Sequence, residues 1–157
     1  MSQQVLFVCL GNICRSPTAH GVFSQQVQDA GMQDVIRVDS AGTGAWHVGE
    51  PPDERATEAA RARGYDLSSL RARQVSPADF QQFDYILAMD KSNLTHLQAL
   101  CPPDYHGHLG LFLGFHQNIS TVEVPDPYYG GTAGFDEVLD LVETAGRGLL
   151  RTVCGVS

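Results

Sequence analysis

The chain has 157 residues, 43% of them apolar, so residues 1–157 read as one domain large enough to bury a core. Its formal charge of −8 argues against nucleic acid as a partner, and any pull on an anionic substrate must be local. With no apolar run of about 18 residues and no basic segment before the N-terminal strand, neither a membrane span nor a signal peptide is expected.

Val5-Leu6-Phe7-Val8 is short and wholly apolar, the pattern of a strand buried on both faces. The chain then turns through Cys9-Leu10-Gly11-Asn12-Ile13-Cys14-Arg15. Ser16-Pro17, a capping hydroxyl before a proline, opens a helix expected from Pro17 to about Ala30. Ala19, Val22, Phe23 and Val27 recur there at helical spacing. Val35 to Val38 is a second strand, and Asp39-Ser40-Ala41-Gly42-Thr43-Gly44 reads as a turn-rich loop leading to Trp46. A second helix follows Pro51-Pro52-Asp53 and runs to Arg63, and Ser76-Pro77 opens a short third one. Tyr85 to Met89 is the third strand, with Asp90 at its carboxyl end and a helix to about Leu100. Leu109 to Leu113 supplies a fourth strand, and an amphipathic helix from Phe135 to about Val153 closes the chain.

Strands alternating with helices imply a three-layer α/β fold of flavodoxin-like topology, with four parallel strands and right-handed crossovers. Ligands of such sheets sit beyond the carboxyl ends of the strands, which places the loops around Cys9, Ser40 and Asp90 on one edge. Four cysteines without framework spacing indicate free thiols and a reducing compartment, the cytoplasm. The six histidines show no metal-ligand spacing with them, so neither a metal nor another cofactor is expected. Arg55, Arg61, Arg63, Arg71 and Arg73 fall in one segment, which reads as a solvated helix face, or else as a dock for an acidic substrate region.

The loop carries the chemistry. A strand, a tight turn and a helix N-terminus converge unpaired backbone N–H groups and a positive dipole end on one anion. Five residues between Cys9 and Arg15 let the backbone curl, Gly11 removes bulk, and Asn12 tolerates a left-handed conformation. Arg15 can grip two phosphoryl oxygens at once, as lysine cannot. The field that holds phosphate also favours the thiolate of Cys9, the nucleophilic form. A departing alkoxide or phenolate needs a proton, and Asp126, fixed between Pro125 and Pro127 beside Tyr128 and Tyr129, is the best acid.

CLGNICRSPT near the N-terminus and DPYYGG late in the chain resemble the low-molecular-weight protein tyrosine phosphatases, as do SAGT before Trp46 and AMDKSNL after the third strand. The resemblance implies a cysteinyl-phosphate mechanism with Cys9 as nucleophile, Arg15 stabilising the transition state, and Asp126 as acid and then base. Amides from Leu10 through Gly11, Asn12, Ile13 and Cys14 to Arg15 would line the phosphate. Asn12, Ser16 and Ser40 would support the loop, the Ser16 hydroxyl bonding the Cys9 sulfur. Trp46, Tyr128 and Tyr129 would wall a deep slot that selects phosphotyrosine over the shorter phosphoserine. Cys14, five residues after Cys9, reads either as a redox partner for it or as a small residue at the helix start. The implied partners are tyrosine-phosphorylated proteins, met by a monomer. One departure is Leu70, where mammalian members carry a histidine shortly before Ala-Arg-Gln.

Three other readings share these residues. An arsenate reductase of this fold would need relay cysteines after the third strand, where this chain has Met89, Asp90 and Ser92. Phosphoarginine phosphatases resemble the loop but carry threonine in place of Ile13. A silent phosphoprotein-binding module would need neither Cys9 nor Asp126.

Overall fold

The computed structural model describes residues 2–116, 121–128, 130–131 and 133–155. Among these, β1 (Gln3–Cys9), β2 (Ile36–Gly42), β3 (Tyr85–Ala88) and β4 (His108–Leu111) form one sheet, ordered β2-β1-β3-β4. Every pairing is parallel. The helices are α1 (Arg15–Asp29), α2 (Glu54–Ala62), α3 (Asp79–Gln82), α4 (Lys91–Leu100) and α5 (Ala133–Val153), with a 3₁₀ turn at Phe112–Phe115. The four-stranded parallel α/β fold is the one expected from the alternation of elements.

β1 organises both layers because its pleat sends alternate side chains to opposite faces. Val5, Phe7 and Cys9 join the larger core with residues of α1 and α5. Leu6 and Val8 join the smaller one with Phe80, Ile86 and Leu97. Phe7 meets Phe23 and Phe112 edge-on at 5.7 and 4.9 Å between ring centroids. The chain runs from β1 to β2 on one side and returns to β3 on the other. The strand order therefore reverses at β1, and its carboxyl end, Cys9, opens on the crevice where such sheets bind ligands. A third cluster of Ile13, Cys14, Ala56, Ala72 and Phe135 packs the following loop down.

Several boundaries differ from expectation, each for a tertiary reason. β2 continues through Asp39-Ser40-Ala41-Gly42 because those residues pair in register with Leu6 to Cys9, overriding their turn character. β4 stops at Leu111, where the backbone tightens into the 3₁₀ turn. α1 begins at Arg15 with Cys14 in the cap position, so Ser16 and Pro17 lie inside the first turn. The Cys14 side chain makes no capping hydrogen bond; its carbonyl accepts the first intrahelical bond from the Thr18 amide at 3.2 Å, and also the Thr18 hydroxyl at 2.7 Å.

The basic segment is engaged within the molecule. Arg63 pairs with Asp136, Asp140 and Glu143 of α5. Arg61 pairs with Glu58, Arg71 donates to the Ser68 and Leu70 carbonyls, and Arg73 bridges Asp39 and Asp79.

Candidate active site

The segment from Cys9 to Arg15 wraps a cleft of about 320 Å³ lined by Cys9, Leu10, Gly11, Ile13, Cys14 and Arg15. Its backbone carbonyls are drawn outward. Those of Cys9 and Leu10 accept from the Thr43 and Gly44 amides, each at 2.9 Å, and that of Ile13 accepts from the Asp53 amide at 2.8 Å. In a trans peptide an outward carbonyl turns the next N–H the other way, so the amides of Leu10, Gly11 and Cys14 face inward. With the N-terminus of α1 behind them, they form an anion cradle. Close approach is possible because Gly42 lacks a side chain: a Cβ there would lie 2.8 Å from the Leu10 carbonyl oxygen. Asn12 takes φ 59°, the left-handed conformation the curl requires.

The Cys9 sulfur sits at the floor, 3.0 Å from the Ser16 hydroxyl and 3.3 Å from the Asn12 amide nitrogen. Asn12 Nδ2 donates to Ser16 Oγ at 2.8 Å, which leaves the hydroxyl proton for another acceptor. A thiolate can only accept, so both neighbours stabilise negative charge on that sulfur. Cys14, on the same wall, is different. Burial, then the nearby Asp53 and Cys9, push its thiol up to about 12, so it stays protonated at neutral pH.

Arg15 is 3% exposed. Its Nη1 donates to Asp90 Oδ2 at 2.7 Å and to the Val124 carbonyl at 3.0 Å, fixing the guanidinium plane. Nη2 lies 3.8 Å from Asp126 Oδ2. Asp126 accepts from the Tyr128 amide through its other oxygen at 3.0 Å. Thiol, guanidinium and carboxyl thus converge on one concavity from two segments far apart in the sequence, the Cys9–Arg15 loop and the loop of Asp126. Trp46, 70% exposed, and Tyr128 stand at its mouth. Tyr129, expected in the same wall, lies outside the described residues.

The sequence profile of the family described as low molecular weight phosphotyrosine protein phosphatase matches residues 4–155. The low molecular weight protein-tyrosine-phosphatase YfkJ of Bacillus subtilis is 42% identical over 149 residues, 95% of this chain and 94% of its own. The chain belongs to the low molecular weight phosphotyrosine protein phosphatase family. A crystal structure of a protein tyrosine phosphatase from Entamoeba histolytica, with Hepes in its active site, superposes with a TM-score of 0.93 at 42% identity. That match covers 98% of this chain and 99% of the other. A structure of a Drosophila arginine phosphatase is also similar, with TM-score 0.88, 33% identity and 95% and 96% coverage.

Within this phosphatase fold, one loop-support expectation needs correcting. The Ser40 hydroxyl bonds away from the phosphate loop: the pleat of β2 turns it to α1, where it meets His20 Nδ1 at 3.0 Å. The support on that side comes from Arg73, whose amide donates to Asn12 Oδ1 at 3.0 Å and whose carbonyl accepts from Gly42 at 2.8 Å. Its guanidinium is clamped between Asp39 and Asp79. Asp90, Arg73 and His47, which also lines the cleft, were not read from the sequence as site residues. A carboxylate at the end of a parallel strand, on the ligand edge, was the available signal for Asp90.

His20 makes the stability of the fold pH-sensitive. Burial lowers its pKa from 6.5, aided by Arg73 and opposed by Asp39, so the folded chain prefers a neutral ring. Because the folded pKa lies below the unfolded one, stability is complete above 6.5 and is lost as pH falls through that value toward the folded one. Thermal unfolding followed from about pH 7.5 to about pH 5.5 should show a smaller drop in midpoint for His20→Gln than for the parent chain.

Proposed function

We propose that the chain hydrolyses phosphotyrosine in proteins, and small aryl phosphates, through a phosphocysteine. The observation that carries this is the convergence of the Cys9 sulfur, the Arg15 guanidinium and the Asp126 carboxyl on one amide-lined cradle. In the first step the Cys9 thiolate attacks phosphorus in line. The P–S bond forms as the P–O bond to the ring breaks, and Asp126 gives its proton to the departing phenolate oxygen. In the second step water attacks phosphorus while the Asp126 carboxylate takes its proton. The P–S bond breaks, and phosphate and thiolate are released. Arg15 and the inward amides hold the equatorial oxygens, over which the charge of the transition state is spread.

Ile13 favours phosphotyrosine over phosphoarginine, since it offers carbon to the slot and no partner for a guanidino N–H. An arsenate reductase relay is disfavoured by topology. Cys101 follows the far end of α4 and Cys154 the far end of α5, helices that lead away from the edge holding Cys9. Cys14 lines the same cleft as Cys9, which supports pairing of the two under oxidation. In the reducing cytoplasm, acting as a monomer, the chain keeps Cys9 free. No described helix is long and apolar enough to cross a membrane.

Asp126→Ala should lower kcat/KM toward phosphotyrosyl peptide by about 10²–10⁴-fold with little change in inhibition by inorganic phosphate. Unchanged turnover would place the acid elsewhere. Phosphoarginine assayed in parallel should be the poorer substrate of the parent chain.

A further inference from the structure

Asp126 stands on a loop between two prolines, and its carboxyl must stay in line with the phosphorus and the departing oxygen. Upstream, the loop is pinned by the Val124 amide to the Met89 carbonyl at 2.8 Å and by the Val124 carbonyl to Arg15. Downstream, the contact comes from α2. Arg55 donates from Nη2 to the Tyr128 carbonyl at 2.8 Å and from Nη1 to the Gly130 carbonyl at 3.3 Å. The Tyr128 amide is the group that holds Asp126 Oδ1.

Arg55 is itself fixed. Its Nε and Nη2 meet the two oxygens of Asp53 at 3.2 and 3.1 Å. Its guanidinium carbon lies 4.8 Å from the Phe135 ring centroid and 5.5 Å from that of Tyr128. Asp53 caps α2, and its amide bonds the Ile13 carbonyl of the phosphate loop. Through Asp53, one planar side chain therefore links the phosphate loop to the residue that orients the acid.

We propose that Arg55 is a positioning residue for Asp126, holding Tyr128 by its carbonyl so that the Tyr128 amide keeps the carboxyl where it delivers its proton to the leaving oxygen. The inference rests on Asp126 being the general acid. Proton delivery matters for a poor leaving group such as phenol, whose pKa is about 10, and little for p-nitrophenol. A loop misplaced by about 1 Å can cost on the order of 10²-fold.

The test is a double-mutant cycle of Arg55→Met and Asp126→Ala, measuring kcat/KM with phenyl phosphate and with p-nitrophenyl phosphate. Arg55→Met should lose roughly 10–100-fold with the phenyl ester and under about threefold with the nitrophenyl ester. In the Asp126→Ala background it should lose under about threefold with either. Inhibition by inorganic phosphate should be unchanged. Equal losses with both esters, additive losses in the cycle, or loss of phosphate inhibition would each overturn the proposal. An Asp126→Ala variant that hydrolyses the phenyl ester normally would instead overturn the assignment of the acid. If Arg55→Met unfolds, Arg55→Lys carries the same comparison, since it keeps the charge but lacks the planar fork.

Discussion

Cys9→Ser should abolish turnover, by more than about 10⁴-fold, while inorganic phosphate still binds. A hydroxyl on the cleft floor retains the volume and the hydrogen bonds from Ser16 and Asn12 but does not ionise at neutral pH. The cradle itself is built elsewhere, from amides turned inward by the bonds of the Cys9, Leu10 and Ile13 carbonyls to Thr43, Gly44 and Asp53. Phosphate affinity, followed by calorimetry, should therefore survive. Residual turnover near the parent rate would mean that the sulfur does not attack phosphorus.

Arg15→Ala should lower kcat by about 10³–10⁵-fold, the range for an arginine that stabilises phosphoryl transfer. Arg15→Lys should restore little of this. One ammonium cannot hold Asp90, the Val124 carbonyl and two phosphoryl oxygens together, as the planar guanidinium can. The alanine variant should also unfold at lower temperature, since it leaves the Asp90 carboxylate without its 2.7 Å partner. Measuring kcat in both variants, with thermal midpoints alongside, separates the two effects. A lysine variant near parental activity would reduce Arg15 to a general positive charge.

The features legible in the sequence were those written in local chemistry. Val5 to Val8 could only be a buried strand, and Gly11 and Asn12 announced a curled backbone; φ 59° at Asn12 bears out that reading. Features set by distant partners were not legible. Asp39 to Gly42 have turn composition and become strand because β1 is alongside. By local composition Ser16 looked like a helix cap, yet the cap position falls to Cys14; only the family resemblance placed the Ser16 hydroxyl on the Cys9 sulfur, where it lies. Ser40 lies on the right sheet edge, but the pleat decides which way its hydroxyl faces, and that register depends on pairing. Arg73 looked like one member of a basic run. Its contribution comes from an amide brought beside Asn12 by the bridge between Gln74 and Gly42.

The phosphoryl group should reside on Cys9 between the two steps. Incubating the Asp126→Ala variant with an aryl phosphate, quenching rapidly and mapping the modified peptide by mass spectrometry tests this directly. One phosphoryl group on Cys9, absent from Cys9→Ser, is the predicted result. Phosphate released with no label on Cys9 at any time, or label on another residue, would contradict the account.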